Sequence, residues 1–408
     1  MPFDSSRAEE LPSVENPLFA THFDRFSDAK LVLLGDASHG TGDFYMARAA
    51  ITKRFIKEYG HKVLAIEADP CDVMVIDHFV RLAPGNLDWD AAFRHGHNWV
   101  WKNEEFRDLI SWISEWNRNL PLKDRVAIFG LDCLKTASSM NKLIGYLEKS
   151  NSPLVDQARY LASGLLNFKD DPSAYASLAA DPFRTEAAQL IPELLSSFRL
   201  FEPEAEGLER EHWFNALLCG LSVANSEQFE RAEANDFVSK WNARDTHMFL
   251  AVREILEKSN PDARMIIWAH NNHVGNAAFS EIGYRRRQIS LGELLKNHFG
   301  DNTCLIGFGT GEGSIFASKG RGQSPEAMKI GKPVPGSWED LCHNVPSPRF
   351  LVQSILLRSE FSDLRPGRTF GTFYHPDRER EECYLEADLF RQFDAWVWLD
   401  ATSALRPL

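Results

Sequence analysis

Four short apolar runs in this chain each stop on residues that carry acid–base chemistry. Lys30-Leu31-Val32-Leu33-Leu34-Gly35-Asp36 leads on to His39, and Lys62-Val63-Leu64-Ala65-Ile66 ends on Glu67. Arg125-Val126-Ala127-Ile128-Phe129-Gly130-Leu131 ends on Asp132, and Arg264-Met265-Ile266-Ile267-Trp268 runs into His270 and His273. In open α/β sheets, ligands bind outside the carboxyl ends of the parallel strands. Groups scattered along the sequence would then meet in one crevice. The chain reads as an enzyme whose chemistry is imidazole plus carboxylate.

The rest of the chain fits that frame. From 30 to 135 the order is strand, helix, strand, helices, strand, which predicts parallel pairing through crossover helices. No convincing strand occurs from about 136 to 258. There Asn141 to Lys149, Glu186 to Phe198, Leu208 to Ser222 and Glu227 to Lys258 carry helical periodicity. Strands resume at 264–270 and 303–308, with a helix from Leu291 to Phe299 between them. Arg349–Leu357, Thr369–Tyr374 and Ala395–Leu399 are further strand candidates, and residues 1–29 form a polar lead-in with a short helix. The predicted fold class is α/β: a mostly parallel central sheet flanked by helices. One domain spans 1–408, and 136–258 is a helical insertion forming a cap or cleft wall. The alternating glycines of Gly307-Phe308-Gly309-Thr310-Gly311-Glu312-Gly313 do not make a dinucleotide fingerprint. They suit close approach by a ligand or another backbone.

Composition removes several function classes. A formal net charge of −13 argues against nucleic acid, whose phosphates need a positive field. The basic triplet Arg285-Arg286-Arg287 is too short to reverse that, and reads as a solvated turn or a carboxylate clamp. No apolar run approaches a membrane span, and the first residues lack a signal peptide's apolar stretch. Six widely spaced cysteines with no C-x-x-C read as reduced thiols in a cytoplasmic protein. The 12% aromatic content is rich enough to supply both a core and a pocket for a large apolar ligand.

Particular residues sharpen the chemistry. His39 lies in a strand-to-helix turn between glycines, near the positive end of the following helix, which disfavours imidazolium and leaves the ring able to take a proton. On that helix Phe44, Ala47, Ile51 and Phe55 make an apolar stripe, and Arg48 falls inside it. A guanidinium there must be paired or reach a cleft, and Asp36 and Glu67 are the natural partners. Glu67 can orient a histidine or act as base itself. His270 and His273, three apart, could be acid–base groups or two ligands of one zinc ion, though H-E-x-x-H is absent. Trp99, Trp101 and Trp112, with Asn103 and Glu104, form an aromatic, amide-bearing patch, and the preceding His95, His97 and Asn98 point part of it toward the cleft. No G-x-S-x-G elbow and no P-loop is present, which argues against a serine hydrolase and against phosphoryl transfer from ATP.

Taken in order, these segments resemble the erythromycin esterase family, whose members carry a Gly-Glu-x-x-His-Gly-x-x-Glu-like turn. Here that turn stands as Gly35-Asp36-Ala37-Ser38-His39-Gly40-Thr41-Gly42-Asp43. The likeness continues through Arg48, Glu67-Ala68-Asp69, the Trp99 to Glu105 segment, Gly130-Leu131-Asp132, Trp241-Asn242-Ala243-Arg244-Asp245 and Trp268 to His273. It also covers Gly307 to Thr310, Pro335 to Glu339 and Gln392 to Ala395.

The resemblance implies a metal-independent ester or lactone hydrolase with no cofactor, acting on a small-molecule ester, macrolide lactones first. It implies His39 as general base toward water, Glu67 orienting or assisting it, and Arg48, His270 and His273 positioning water and stabilising the oxyanion beside Asp36. Asp43, Trp99, Trp101, Asn103, Asp132 and Arg244 are the expected substrate-binding residues. The alternatives are an esterase of some other natural ester, a metal-dependent hydrolase using His270 and His273, and a binder without turnover. Asp36 and Asp43 stand where the family usually has Glu, Gly42 replaces a commonly larger residue, and Gly311 takes a place often held by tyrosine.

Overall fold

The apolar runs become the strands that carry the architecture. The computed structural model of the protein describes residues 5–83, 85, 87–93, 98–166, 182–204, 207–232, 236–258, 263–320 and 322–408. In chain order the strands are Glu9–Glu10 (β1), Leu31–Leu34 (β2), Val63–Ile66 (β3), Ala127–Gly130 (β4), Met265–Trp268 (β5) and Thr303–Ala317 (β6). They continue with Glu326–Lys329 (β7), Arg349–Gln353 (β8), Arg365–Arg368 (β9), Tyr384–Ala387 (β10) and Ala395–Thr402 (β11). The main sheet runs β1-β8-β11-β6-β2-β5-β3-β4, with β7 on β6, while β9 and β10 pair separately. Every pairing from β11 to β4 is parallel. The edge additions β8, β1 and β7 are antiparallel.

Register decides where the site falls. Leu34 and Ile66 both lie opposite Trp268, and Ile66 lies opposite Gly130, so the residues that follow these four strands emerge at one rim.

Alternation along the strands feeds two cores. Leu31, Leu33, Ala65, Phe129 and Ile267 point into one, and Val32, Leu34, Leu64, Ile128 and Ile266 into the other. Helices Gly42–Tyr59, Pro70–Arg81 and Glu104–Asn117 supply the second. The first is covered by Thr136–Lys149, Val155–Leu165, Pro182–Arg199, Leu208–Arg231 and Phe237–Lys258. No strand occurs among the described residues of 136–258. The described helices of that stretch form a layer on one sheet face, and the last of them brings Trp241 and Arg244 to the cleft wall.

Three boundaries differ from the expected pattern. The helix from Leu208 runs on to Arg231, and Phe237–Lys258 is a separate helix. Ser222, Asn225 and Ser226 are buried within helix Leu208–Arg231, and Asn225 and Ser226 bond back to the carbonyls of Leu221 and Val223. Thr369–Tyr374 is not a strand: the amides of Phe370 and Tyr374 go to the carbonyls of Ala37 and Ser318, and the ladder lies just upstream at β9. The strand from Arg349 stops at Gln353 and gives way to a 3₁₀ turn at Ser354–Leu356.

The long β6 explains its glycines. A Cβ on Gly307 or Gly309 would lie 2.7 or 2.3 Å from the Trp396 ring on β11, so an aromatic side chain is what approaches there. Arg285 and Arg286 pair with Glu281, and Arg285 also with Glu386, as a carboxylate clamp. All six cysteines are free and buried. No described helix is long and apolar enough to cross a membrane.

Ile267, fully buried on β5 between β2 and β3, tests the central packing. Ile267→Ala should lower unfolding stability by about 2–5 kcal/mol, read from the urea midpoint at unchanged slope.

Candidate active site

The turn after β2 is held from both sides. The Phe316 amide donates to the Gly40 carbonyl at 2.9 Å, and a Cβ on Gly40 would lie 2.0 Å from the Phe316 carbonyl oxygen, so only glycine lets the turn dock on β6. The Gly40 amide also donates to Ser38 Oγ at 3.0 Å. His39 is thereby fixed with Nδ1 3.3 Å from Asp36 Oδ1 and Nε2 3.7 Å from Glu67 Oε1.

Beneath it, Arg48 Nη1 lies 2.7 Å from Asp36 Oδ2, and both side chains have no solvent exposure. The guanidinium sits over the rings of Tyr45 and Trp268, 4.7 and 4.5 Å from their centroids. The apolar stripe thus buries an arginine that pairs with one of its two expected partners.

Glu67 takes a different cation. Arg244, from helix Phe237–Lys258, donates from Nη2 to Glu67 Oε1 at 2.7 Å and grips Asp132 with Nε at 3.0 Å and Nη2 at 2.7 Å. Glu67 Oε2 accepts the His270 amide at 2.8 Å. Burial opposes charge on Glu67, but His273, His39 and Arg244 hold its carboxyl well below the usual range. Arg244 does the same for Asp132 against burial.

The three histidines meet three environments. Burial alone would lower His39, yet Asp36 and then Glu67 reverse this and push it up to about 10. The helix start therefore does not keep this ring neutral, because two carboxylates outweigh the partial charge of a helix terminus. His273 Nδ1 lies 2.9 Å from both Asp245 oxygens, and its ring stacks on Trp241 at 4.5 Å. Burial again opposes charge, but Asp245 and Glu67 raise His273 to about 9. His270, edge-on to His39 at 5.1 Å, has no carboxylate partner, and burial lowers it to about 4. Its Nδ1 accepts the Asn272 amide at 3.1 Å, and its Nε2 donates to the Phe370 carbonyl at 3.1 Å. Neither nitrogen of His270 is left to bind an ion.

These groups border a cavity of about 630 Å³. His39, Glu67, Trp101, Asp132, Arg244, His270 and His273 all line it, as expected from the sequence. Asp36 and Arg48 lie behind His39 rather than in the wall, so the guanidinium facing the cavity is that of Arg244. Three expected binding residues are elsewhere. Asp43 accepts the Ser403 amide at 2.7 Å and secures the C-terminal segment. Trp99 packs on Phe316. Asn103 caps helix Glu104–Asn117 by accepting the Phe106 amide at 2.7 Å. His95 and His97 lie outside the described residues, and Trp112 stacks on Trp116, away from the cavity.

Sequence reasoning missed several lining groups: Trp241, Asp69, Asp72, Lys135 and the Phe370-Gly371-Thr372 segment, with Asp245 behind His273. Trp241 and Asp245 lie three residues before and one after Arg244, and helical spacing would have placed all three on one face.

A family model described as Erythromycin esterase matches residues 56–402. The chain belongs to the erythromycin esterase family. Among curated relatives, erythromycin esterase type II of Escherichia coli is 19% identical over 308 residues, covering 71% of each chain. The putative hydrolase YbfO of Bacillus subtilis is 20% identical over 396 residues, covering 91% of this chain and 83% of its own. Among solved structures, a succinoglycan biosynthesis protein superposes with TM-score 0.81 at 19% identity, over 98% of this chain and 96% of its own. An erythromycin esterase mutant in its open conformation gives 0.69 at 14% identity, over 98% of both chains. The family's fold, a central mostly parallel sheet flanked by helices, is the one seen here, and the family points to hydrolase chemistry.

Arg48→Met would leave the buried Asp36 carboxylate with His39 as its remaining cation, and should cost about 3–5 kcal/mol of stability. Arg48→Met combined with Asp36→Asn should recover much of that loss, as read by denaturant unfolding of both variants.

Proposed function

We propose that this protein hydrolyses an ester or lactone with water activated at His39, without a metal ion or a covalent serine. The observation that carries this reading is the His39 ring, pinned between Asp36 and Glu67 and opening on the cavity. Among the described residues no serine or cysteine lines that cavity, which supports water as the nucleophile. In the reactive form His39 keeps its Nδ1 proton toward Asp36 and takes a proton from water at Nε2. Arg244 and His273 supply positive charge on the same wall for the oxyanion.

Macrolide lactones are the leading substrate class. The relative named erythromycin esterase type II supports this, and the cavity falls within the ~300–1,000 Å³ typical of sites for drug-sized ligands. An esterase acting on another natural ester uses the same chemistry. The free, buried state of all six cysteines suits a cytoplasmic protein.

Incubation with macrolides and simpler esters, with and without chelator, tests the reaction class by mass spectrometry. A product heavier by one water, formed equally with chelator, is expected, and loss of turnover in chelator would return a metal to the site. His39→Ala should lower kcat/KM by about 10²–10⁴-fold while the protein stays folded.

The pH profile follows from the raised value at His39. Imidazolium dominates at neutral pH, and the neutral base grows about tenfold per pH unit below the His39 value. For a nitrophenyl ester, whose leaving group needs no acid, enzyme-dependent kcat/KM should rise from about pH 6 to about pH 9. A flat or falling profile would remove His39 as the base.

A further inference from the structure

Four carboxylates line the cavity: Glu67, Asp69, Asp72 and Asp132. Three of them have a cation. Arg244 bridges Glu67 and Asp132, and the Lys135 ammonium bonds Asp72. Asp69 is the cavity carboxylate with no ion pair among the described residues. Among the described residues its oxygens accept the backbone amides of Leu134 at 3.2 Å and Lys135 at 3.1 Å and no other group. The residue is 5% exposed.

Its position in the fold is as telling as its partners. Asp69 follows β3 and is tied to the segment after β4, whereas His39 follows β2, with β5 between β2 and β3. Strands in a sheet lie ~4.8 Å apart, so the strand before Asp69 is roughly 10 Å from the strand before His39. The two residues thus line the same cavity from strands that are not adjacent.

We propose that Asp69 is the general acid that protonates the leaving oxygen when an alkyl ester or lactone is opened. This inference rests on the hydrolytic reading above. Water attacks the carbonyl carbon and gives a proton to His39 Nε2. As the tetrahedral oxyanion collapses, the carbon–oxygen bond to the alkoxy group breaks and its electron pair goes to the leaving oxygen. That oxygen takes the Asp69 proton, giving carboxylic acid and alcohol. The imidazolium then returns its proton through water to the Asp69 carboxylate, and the site is reset.

Electrostatics supports the placement. Carboxylates crowded together cannot all ionise, and the proton stays where no cation competes for the site. Arg244 claims Asp132 and Lys135 claims Asp72. Burial first, then Asp132 and Asp72, hold the Asp69 carboxyl well above its usual range, against the pull of Lys135. The neighbouring Cys71 thiol is itself pushed up by burial and stays neutral.

Paired esters of one acyl group, one with a nitrophenyl and one with a simple alkyl leaving group, separate the possibilities. Asp69→Asn should lower kcat/KM for the alkyl ester by about 10²–10⁴-fold and change the nitrophenyl ester by less than roughly threefold. Equal losses on both esters, or none on the alkyl ester, overturn the acid role and leave the return proton to His39. A second measurement needs no variant. In the wild type, the alkyl rate should bend away from the rising nitrophenyl rate as Asp69 loses its proton, and parallel profiles overturn the proposal. A wild type that cleaves neither these esters nor a macrolide lactone overturns the hydrolytic reading, and the acid role falls with it.

Discussion

A carboxylate carried into the rim of a buried sheet must be met by positive charge, and one arginine does most of that here. Arg244 spans from Asp132 after β4 to Glu67 after β3, and its Nη1 lies 3.0 Å from His273 Nε2 after β5. Removing it would leave two buried carboxylates side by side at neighbouring strand ends, where each raises the cost of the other. The helical layer of residues 136–258 is therefore more than a cover for one sheet face. Its last helix delivers the cation that allows the acidic strand ends to converge.

Behind the cavity, Asp36 and Arg48 form a second, fully buried pair that Tyr45 and Trp268 shield with their rings. The outer network holds Glu67 against one nitrogen of His39, and the inner pair holds Asp36 against the other. With both nitrogens so engaged, the ring has little freedom to turn. The same logic sets three histidines a few ångströms apart to different tasks. His39 and His273 each gain carboxylates and hold protons tightly, while His270 meets only backbone partners and stays neutral. Residue type alone does not distinguish them.

The departures from the family's usual residues have local explanations. With aspartate at position 36 the carboxylate still reaches Arg48 directly. At Gly42, a Cβ would lie 3.2 Å from Glu105 Oε1 and 3.3 Å from Leu405, so the C-terminal segment occupies the room a larger side chain would need. At Gly311, Asp400 and His343 would lie 2.9 and 3.0 Å from a Cβ, and those two side chains bond each other at 2.6 Å. A tyrosine at that position would have to displace them.

By itself the sequence determined the core strands β2 to β6 and β11, their parallel pairing and the rim on which His39, Glu67, Asp132, His270 and His273 would meet. Those features follow from local pattern: apolar runs make buried strands, and whatever follows a parallel strand emerges on the same side of the sheet. It also put Arg48 on the apolar stripe, where it must be paired or reach a cleft, since helical spacing is local too. Only the tertiary structure decided that Arg244 and not Arg48 faces the cavity, that Asp245 and Trp241 hold His273, and that Asp43, Trp99 and Asn103 serve packing and capping. It likewise decided which histidines carry charge. The reason is physical: an ionisation state depends on the charges and burial around a group in space, and those neighbours come from strands and helices that are distant in the chain.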